Sequence, residues 1–119
     1  MPYRTILEQL VKKIPGAIGA ILVDWEGEAV QEFCYCDPYE IRLTAAHQMI
    51  ILGRLKELQI GAGPQEKIED LVVTASGAHL IIGSIDEDYS LVLSVNRNSP
   101  LQPALHHFRT ALAELRKEI

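Results

Sequence analysis

Asp37-Pro38-Tyr39-Glu40-Ile41-Arg42-Leu43-Thr44-Ala45-Ala46-His47-Gln48-Met49-Ile50-Ile51-Leu52-Gly53-Arg54-Leu55-Lys56-Glu57-Leu58-Gln59 is the stretch that decides how this chain is built. Asp37 suits a helix N-cap, Pro38 the first helical turn and Glu40 the positive end of the helix dipole. The spacing predicts a helix over 38–59, stopped by Gly61-Ala62-Gly63-Pro64. On a wheel turning about 100° per residue, Ala45 and Leu52 fall beside Ile41, and Met49 and Ile60 about a quarter turn away. Ala46, Ile50 and Leu43 fall on the far side, and Ile51, Leu55 and Leu58 fill the remaining sector. Between Ile41 and Gly53 the only formal charge is Arg42. A helix that is apolar all round is buried on more than one side. One sheet covers one side, and so short a chain has little left for the other. A second protein chain is therefore expected there, with Ala46 and Ile50 at the seam.

Upstream, Tyr3, Ile6, Leu7, Leu10, Val11 and Ile14 recur at helical spacing, with Lys12 and Lys13 in the last turn and Pro15-Gly16 as the stop. Ala17-Ile18-Gly19-Ala20-Ile21-Leu22-Val23 follows as a nearly unbroken apolar run. A strand with one wet face alternates, so this one is expected to be covered on both faces. Asp24-Trp25-Glu26-Gly27 reads as a turn, and Glu28–Cys36 as a returning, more polar strand near an edge.

Downstream, Ile68–Ala75, His79–Ile85 and Tyr89–Val95 read as three strands of a meander, joined by Ser76-Gly77 and by Asp86-Glu87-Asp88. Ser99 is expected to cap, and Pro100 to open, a last helix carrying Leu101, Leu105, Phe108, Leu112, Leu115 and Ile119 on one side. The order is α-β-β-α-β-β-β-α. Five strands apolar on both faces need helices above and below. The two one-sided terminal helices share one face, and the middle helix takes the other.

The chain has 119 residues, 48% apolar and 23% charged, which suits a single domain over 1–119. Lys and Arg number 11 against 16 Asp and Glu, a net charge of -5 that argues against nucleic acid as partner. The uncharged run Leu43–Gly53 is too short to cross a bilayer, which takes about 20 apolar residues. Met1-Pro2-Tyr3-Arg4 does not open a secretory signal, so a cytoplasmic location is expected. Cys34 and Cys36 have neither zinc-knuckle nor redox C-x-x-C spacing, and they read as half-buried small residues.

No nucleophile elbow, phosphate-binding loop, dinucleotide fingerprint or His-Glu-x-x-His occurs, so no catalytic residue, cofactor or metal site is assigned. Gly61-Ala62-Gly63-Pro64 follows a helix, which makes it a stop rather than a phosphate cradle. Asp86-Glu87-Asp88 reads as a solvated tip. His106 and His107, adjacent on a helix, cannot aim at one ion. Arg42, His47 and Arg54 are the polar residues of the middle helix and mark its surface for a partner. Each arginine would either contact an acidic or nucleotide-proximal surface or run its stem along the seam with its head in water. Trp25 either anchors a partner or packs over its own turn.

The ordered set resembles the roadblock/dynein light-chain domain, related to the longin and profilin-like sandwiches. Gly19-Ala20-Ile21-Leu22-Val23-Asp24-Trp25-Glu26-Gly27 matches that family's apolar strand ending in Val-Asp-x-x-Gly. Leu80-Ile81-Ile82-Gly83-Ser84-Ile85, the acidic turn, Tyr89-Ser90-Leu91-Val92-Leu93-Ser94-Val95 and the Ser99-Pro100 helix match too. The resemblance implies a five-stranded α+β sandwich and a homodimer whose middle helices pack together while the third strands, here Leu71-Val72-Val73, pair. It also implies a non-enzymatic regulator. Bacterial members of this kind are similar to GTPase-activating proteins or scaffolds for small Ras-like GTPases, which dock on the middle-helix face. The alternatives are a scaffold dimer without effect on hydrolysis and a profilin-like sensor of small molecules. The dense aliphatic strands leave few convergent donors for a sensor pocket.

Overall fold

The computed structural model describes residues 2–57 and 68–119. The elements are α1 (Tyr3–Lys13), β1 (Ala17–Asp24), β2 (Ala29–Cys34), α2 (Pro38–Glu57), β3 (Asp70–Thr74), β4 (Ala78–Ser84), β5 (Tyr89–Asn96) and α3 (Leu101–Glu118). The strands form one antiparallel sheet in the order β2-β1-β5-β4-β3. The expected order of elements is the observed one. The Gly61–Pro64 stop and the last residues of the expected middle helix lie outside the described residues.

The unbroken apolar runs are explained by two cores, one on each face. Strand side chains alternate, so Ala20, Leu22, Ile81, Leu91, Leu93 and Val95 meet α1 and α3 through Leu7, Val11, Phe108 and Leu115. Their neighbours Ile21, Val23, Ile82 and Val92 meet α2 through Ile41, Ala45 and Leu52. Among the described residues, large side chains such as Phe108, Leu7 and Ile21 are less than 2% exposed. Each contributes about 1.5–3 kcal/mol of burial, which fixes the sheet as a rigid platform under α2.

Turns and close approaches set the register. In the β1–β2 turn, Asp24 Oδ1 accepts the N–H groups of Glu26 and Glu28, and Gly27 takes φ 85°. That left-handed backbone suits glycine. Gly19 lies opposite Cys34 in a pair that is not hydrogen-bonded, where strand backbones come closest. A Cβ on Gly19 would lie 2.5 Å from that of Cys34.

Several strand bounds and one cap differ from expectation, β4 and β5 by a single residue at an end. β2 stops at Cys34, and Cys36 falls in the bend before α2, because Asp37 turns the chain by accepting the Tyr39 N–H at 3.0 Å. That bond makes Asp37 the N-cap expected of it. β3 is confined to Asp70–Thr74, the residues that pair with Gly83–His79 of β4. Ser99 does not cap α3. Pro100 occupies the N-cap with no side-chain bond, and the helix begins at Leu101. The Ser99 hydroxyl instead donates to the Pro15 carbonyl at 3.0 Å, tying the end of β5 to the α1–β1 junction.

Candidate functional site

Helix α2 rests on one stripe and exposes another. Ile41, Ala45, Gln48 and Leu52, spaced i, i+4, i+7 and i+11, are buried against the sheet, chiefly over β1 and β2. Tyr39, Leu43, Ala46 and Ile50 repeat the same spacing on the opposite side. Of these, Tyr39, Leu43 and Ile50 are 68%, 45% and 62% exposed, and Ile51 beside them is 41% exposed. Ala46 is half-buried because the β1–β2 turn leans on it. A Cβ on Gly27 would lie 3.4 Å from the Ala46 Cα. The outer stripe has coiled-coil spacing, and apart from Ala46 it is left open to water.

The second strip of the surface is β3, an edge strand. Leu71 and Val73 turn toward the α2 face and Val72 toward the α1–α3 face, all three half-buried. Arg109 of α3 donates to the Asp70 carboxylate at 3.0 Å and anchors the start of this strand.

The polar residues flank the apolar stripe. Arg42 crosses to β2, where its Nε donates to the Glu32 carboxylate at 2.9 Å and its Nη2 closes on the same oxygen. Its head makes an ion pair with Glu32 while more than half of the side chain stays exposed. His47 and Arg54 lie on the other flank, both exposed, with Arg54 4.0 Å from Glu57. Trp25 is 66% exposed at the turn, so it does not pack over it.

Gln48 has no counterpart among the sequence-based candidates. It lies 8% exposed on the buried stripe, and its Oε1 has no hydrogen-bond partner among the described residues. Its wheel position beside Ile41 carried the signal. Cys34 and Cys36 are free, half-buried and packed against the α2 core. The Cys34 thiol donates to the Cys36 carbonyl at 3.2 Å, and burial, joined by the neighbouring Cys36 thiol, pushes its pKa up to about 11. A thiol so raised is a poor nucleophile near neutral pH. Among the described residues no three His, Cys, Asp or Glu side chains are grouped to hold a metal ion, and no helix is long and apolar enough to cross a membrane. His106 and His107 meet edge to face at 5.6 Å. A groove of about 20 Å³ beside His107, between α1 and α3, is lined by Lys13 and Glu114 and has room for about one water.

A five-stranded antiparallel sheet with the terminal helices on one face and a long helix on the other is the roadblock/LC7 sandwich, and this chain has that fold. Its structural neighbours include roadblock-type proteins and, at a TM-score of 0.62, a profilin in complex with actin. The roadblock/LC7 domain from Streptomyces avermitilis superposes with a TM-score of 0.85 at 16% identity, over 97% of this chain and 95% of that one. The gliding protein MglB from Thermus thermophilus gives 0.82 at 19% identity, over 97% and 86%. MglC from Myxococcus xanthus gives 0.74 at 21% identity, over the whole of both chains. No family model matches the sequence, and no curated protein matches it.

Proposed function

We propose that this chain is a cytoplasmic, non-enzymatic regulator that forms a homodimer through the outer stripe of α2 and the β3 edge, and that the dimer binds a Ras-like small GTPase. The observation that carries this reading is the second apolar stripe of α2, Tyr39, Leu43, Ala46 and Ile50, diametrically opposite the stripe that packs on the sheet. A lone subunit leaves Tyr39, Leu43 and Ile50 in water, whereas a second copy seats them by ordinary helix packing. Pairing of Leu71-Val72-Val73 with the same strand of the partner would join two five-stranded sheets into one. The likeness of fold to MglB and MglC supports the regulatory reading. His47 and Arg54, exposed beside the stripe, are assigned to the GTPase-binding surface, with Arg42 at its margin.

The test has two parts. Light scattering on the purified chain is expected to give twice the monomer mass. Single-turnover GTP hydrolysis by Ras-like GTPases from the same genome is then followed with and without the protein. Binding with faster phosphate release identifies an activator, and binding at an unchanged rate identifies a scaffold. Replacing Arg42 and Arg54 together by Ala is expected to weaken binding while leaving the dimer intact. Unchanged binding by a still-dimeric variant would remove these residues from the surface.

A further inference from the structure

The two edges of the sheet differ in what their outward main-chain groups meet. The Tyr35 N–H donates to the Ile18 carbonyl at 2.9 Å, which makes Tyr35–Ile18 a hydrogen-bonded pair of the β1–β2 ladder. By alternation, Phe33 and Gln31 also turn their main chain toward β1, while Glu32 and, at the end of the strand, Cys34 turn theirs outward. At Glu32, in the middle of the strand, neither group is open. The Glu32 N–H donates to Gln31 Oε1 at 3.2 Å, and the Glu32 carbonyl accepts from Arg4 Nη1 of α1 at 2.9 Å. Arg4 is steadied over the Phe33 ring, 5.6 Å from its centroid, with Lys12 6.0 Å away on the same ring. The Glu32 carboxylate binds Arg42 of α2. Just before it, Val30 is the extra residue where the register shifts opposite Leu22 and Val23.

β3 is arranged otherwise. The Ala75 N–H donates to the Ala78 carbonyl at 2.9 Å, so alternation turns the main chain of Val72 outward. Among the described residues no side chain is hydrogen-bonded to it.

We propose that Arg4, Gln31 and Glu32 form a guard that closes the β2 edge against strand addition by a second copy of this chain. An incoming strand has to displace both bonds at Glu32, one of them made by a guanidinium, and has to bury the Arg4 charge. The bulge at Val30 turns the rest of the rim away from a flat approach. A sheet open at both edges adds copies without limit, whereas a sheet open at one edge stops at a closed pair. The guard is a device against open assembly, and it does not depend on whether β3 pairs.

The experiment uses the full chain with Arg4→Ala and Gln31→Ala combined, compared with the unaltered protein by light scattering from micromolar to submillimolar concentration. The mass of the variant is expected to climb with concentration to at least twice that of the unaltered chain, which stays level. A folded variant with the same mass at every concentration overturns the proposal. Should the double variant fail to fold, amide hydrogen exchange at Glu32 decides. Protection in the unaltered chain and at least tenfold faster exchange in Gln31→Ala support the guard, and equal rates refute it. Loss of the α2 seam leaves both readouts in place, so failure of the dimer reading and failure of the guard are distinguishable.

Discussion

Replacing Ile50 by Asp tests the seam where the consequences are largest. Ile50 is 62% exposed in the single chain, so well over half of its surface is available to a partner. Full burial of an isoleucine side chain contributes about 1.5–3 kcal/mol, which scales here to roughly 1–2 kcal/mol per protomer. A twofold seam counts the residue twice, giving roughly 2–4 kcal/mol for the dimer. The association constant is therefore expected to fall about 30- to 700-fold, and desolvating two carboxylates adds to the loss. The subunit itself hardly changes, since an exposed substitution on a helix moves stability by about 0.5 kcal/mol or less. Sedimentation velocity over a range of concentrations measures the first quantity, and thermal unfolding of the monomeric variant the second. A Kd within threefold of the unaltered chain refutes the seam. So does an unaltered chain that is monomeric at submillimolar concentration.

Gly19→Ala is expected to destabilise the fold by about 1–3 kcal/mol in urea unfolding, because its Cβ meets the Cys34 Cβ at 2.5 Å inside a ladder that cannot spread. Gln48→Leu is expected to stabilise by about 1 kcal/mol, since it replaces a buried oxygen lacking a partner among the described residues by apolar volume; a loss in the same assay would show that the oxygen is satisfied. The Cys34 thiol, raised from 9.0 to about 11 in the fold, favours the native state only while protonated. Its contribution is fully present below pH 9 and is lost as pH rises through about 11, so Cys34→Ala is expected to flatten the decline of stability across that window. Alkylation of Cys34 at pH 8 is expected to lag behind that of a free cysteine, and equal rates would contradict the burial.

Much of the fold was legible because it rests on local periodicity. The unbroken run from Ala17 to Val23 implied a sheet covered on both faces, and alternate residues of that run do serve two cores. Asp37-Pro38 marked the start of α2, and its bond to Tyr39 is the local one that such a pair makes. Ser99 misled because a serine before a proline is free to bond elsewhere, and its hydroxyl found the Pro15 carbonyl 84 residues away in sequence. For the same reason the ion pair of Arg42 with Glu32 on β2 could not be read from the helix alone.

The sequence by itself determined which residues are apolar and at what spacing, and hence that α2 is apolar on more than one side and that the sheet has two covered faces. Those properties repeat every two or every 3.6 residues, and a short window contains them. Only the tertiary structure decided which edge of the sheet is closed. That closure depends on Arg4 reaching a carbonyl 28 residues further along the chain, a contact made when α1 folds down beside β2 and recorded in no local pattern.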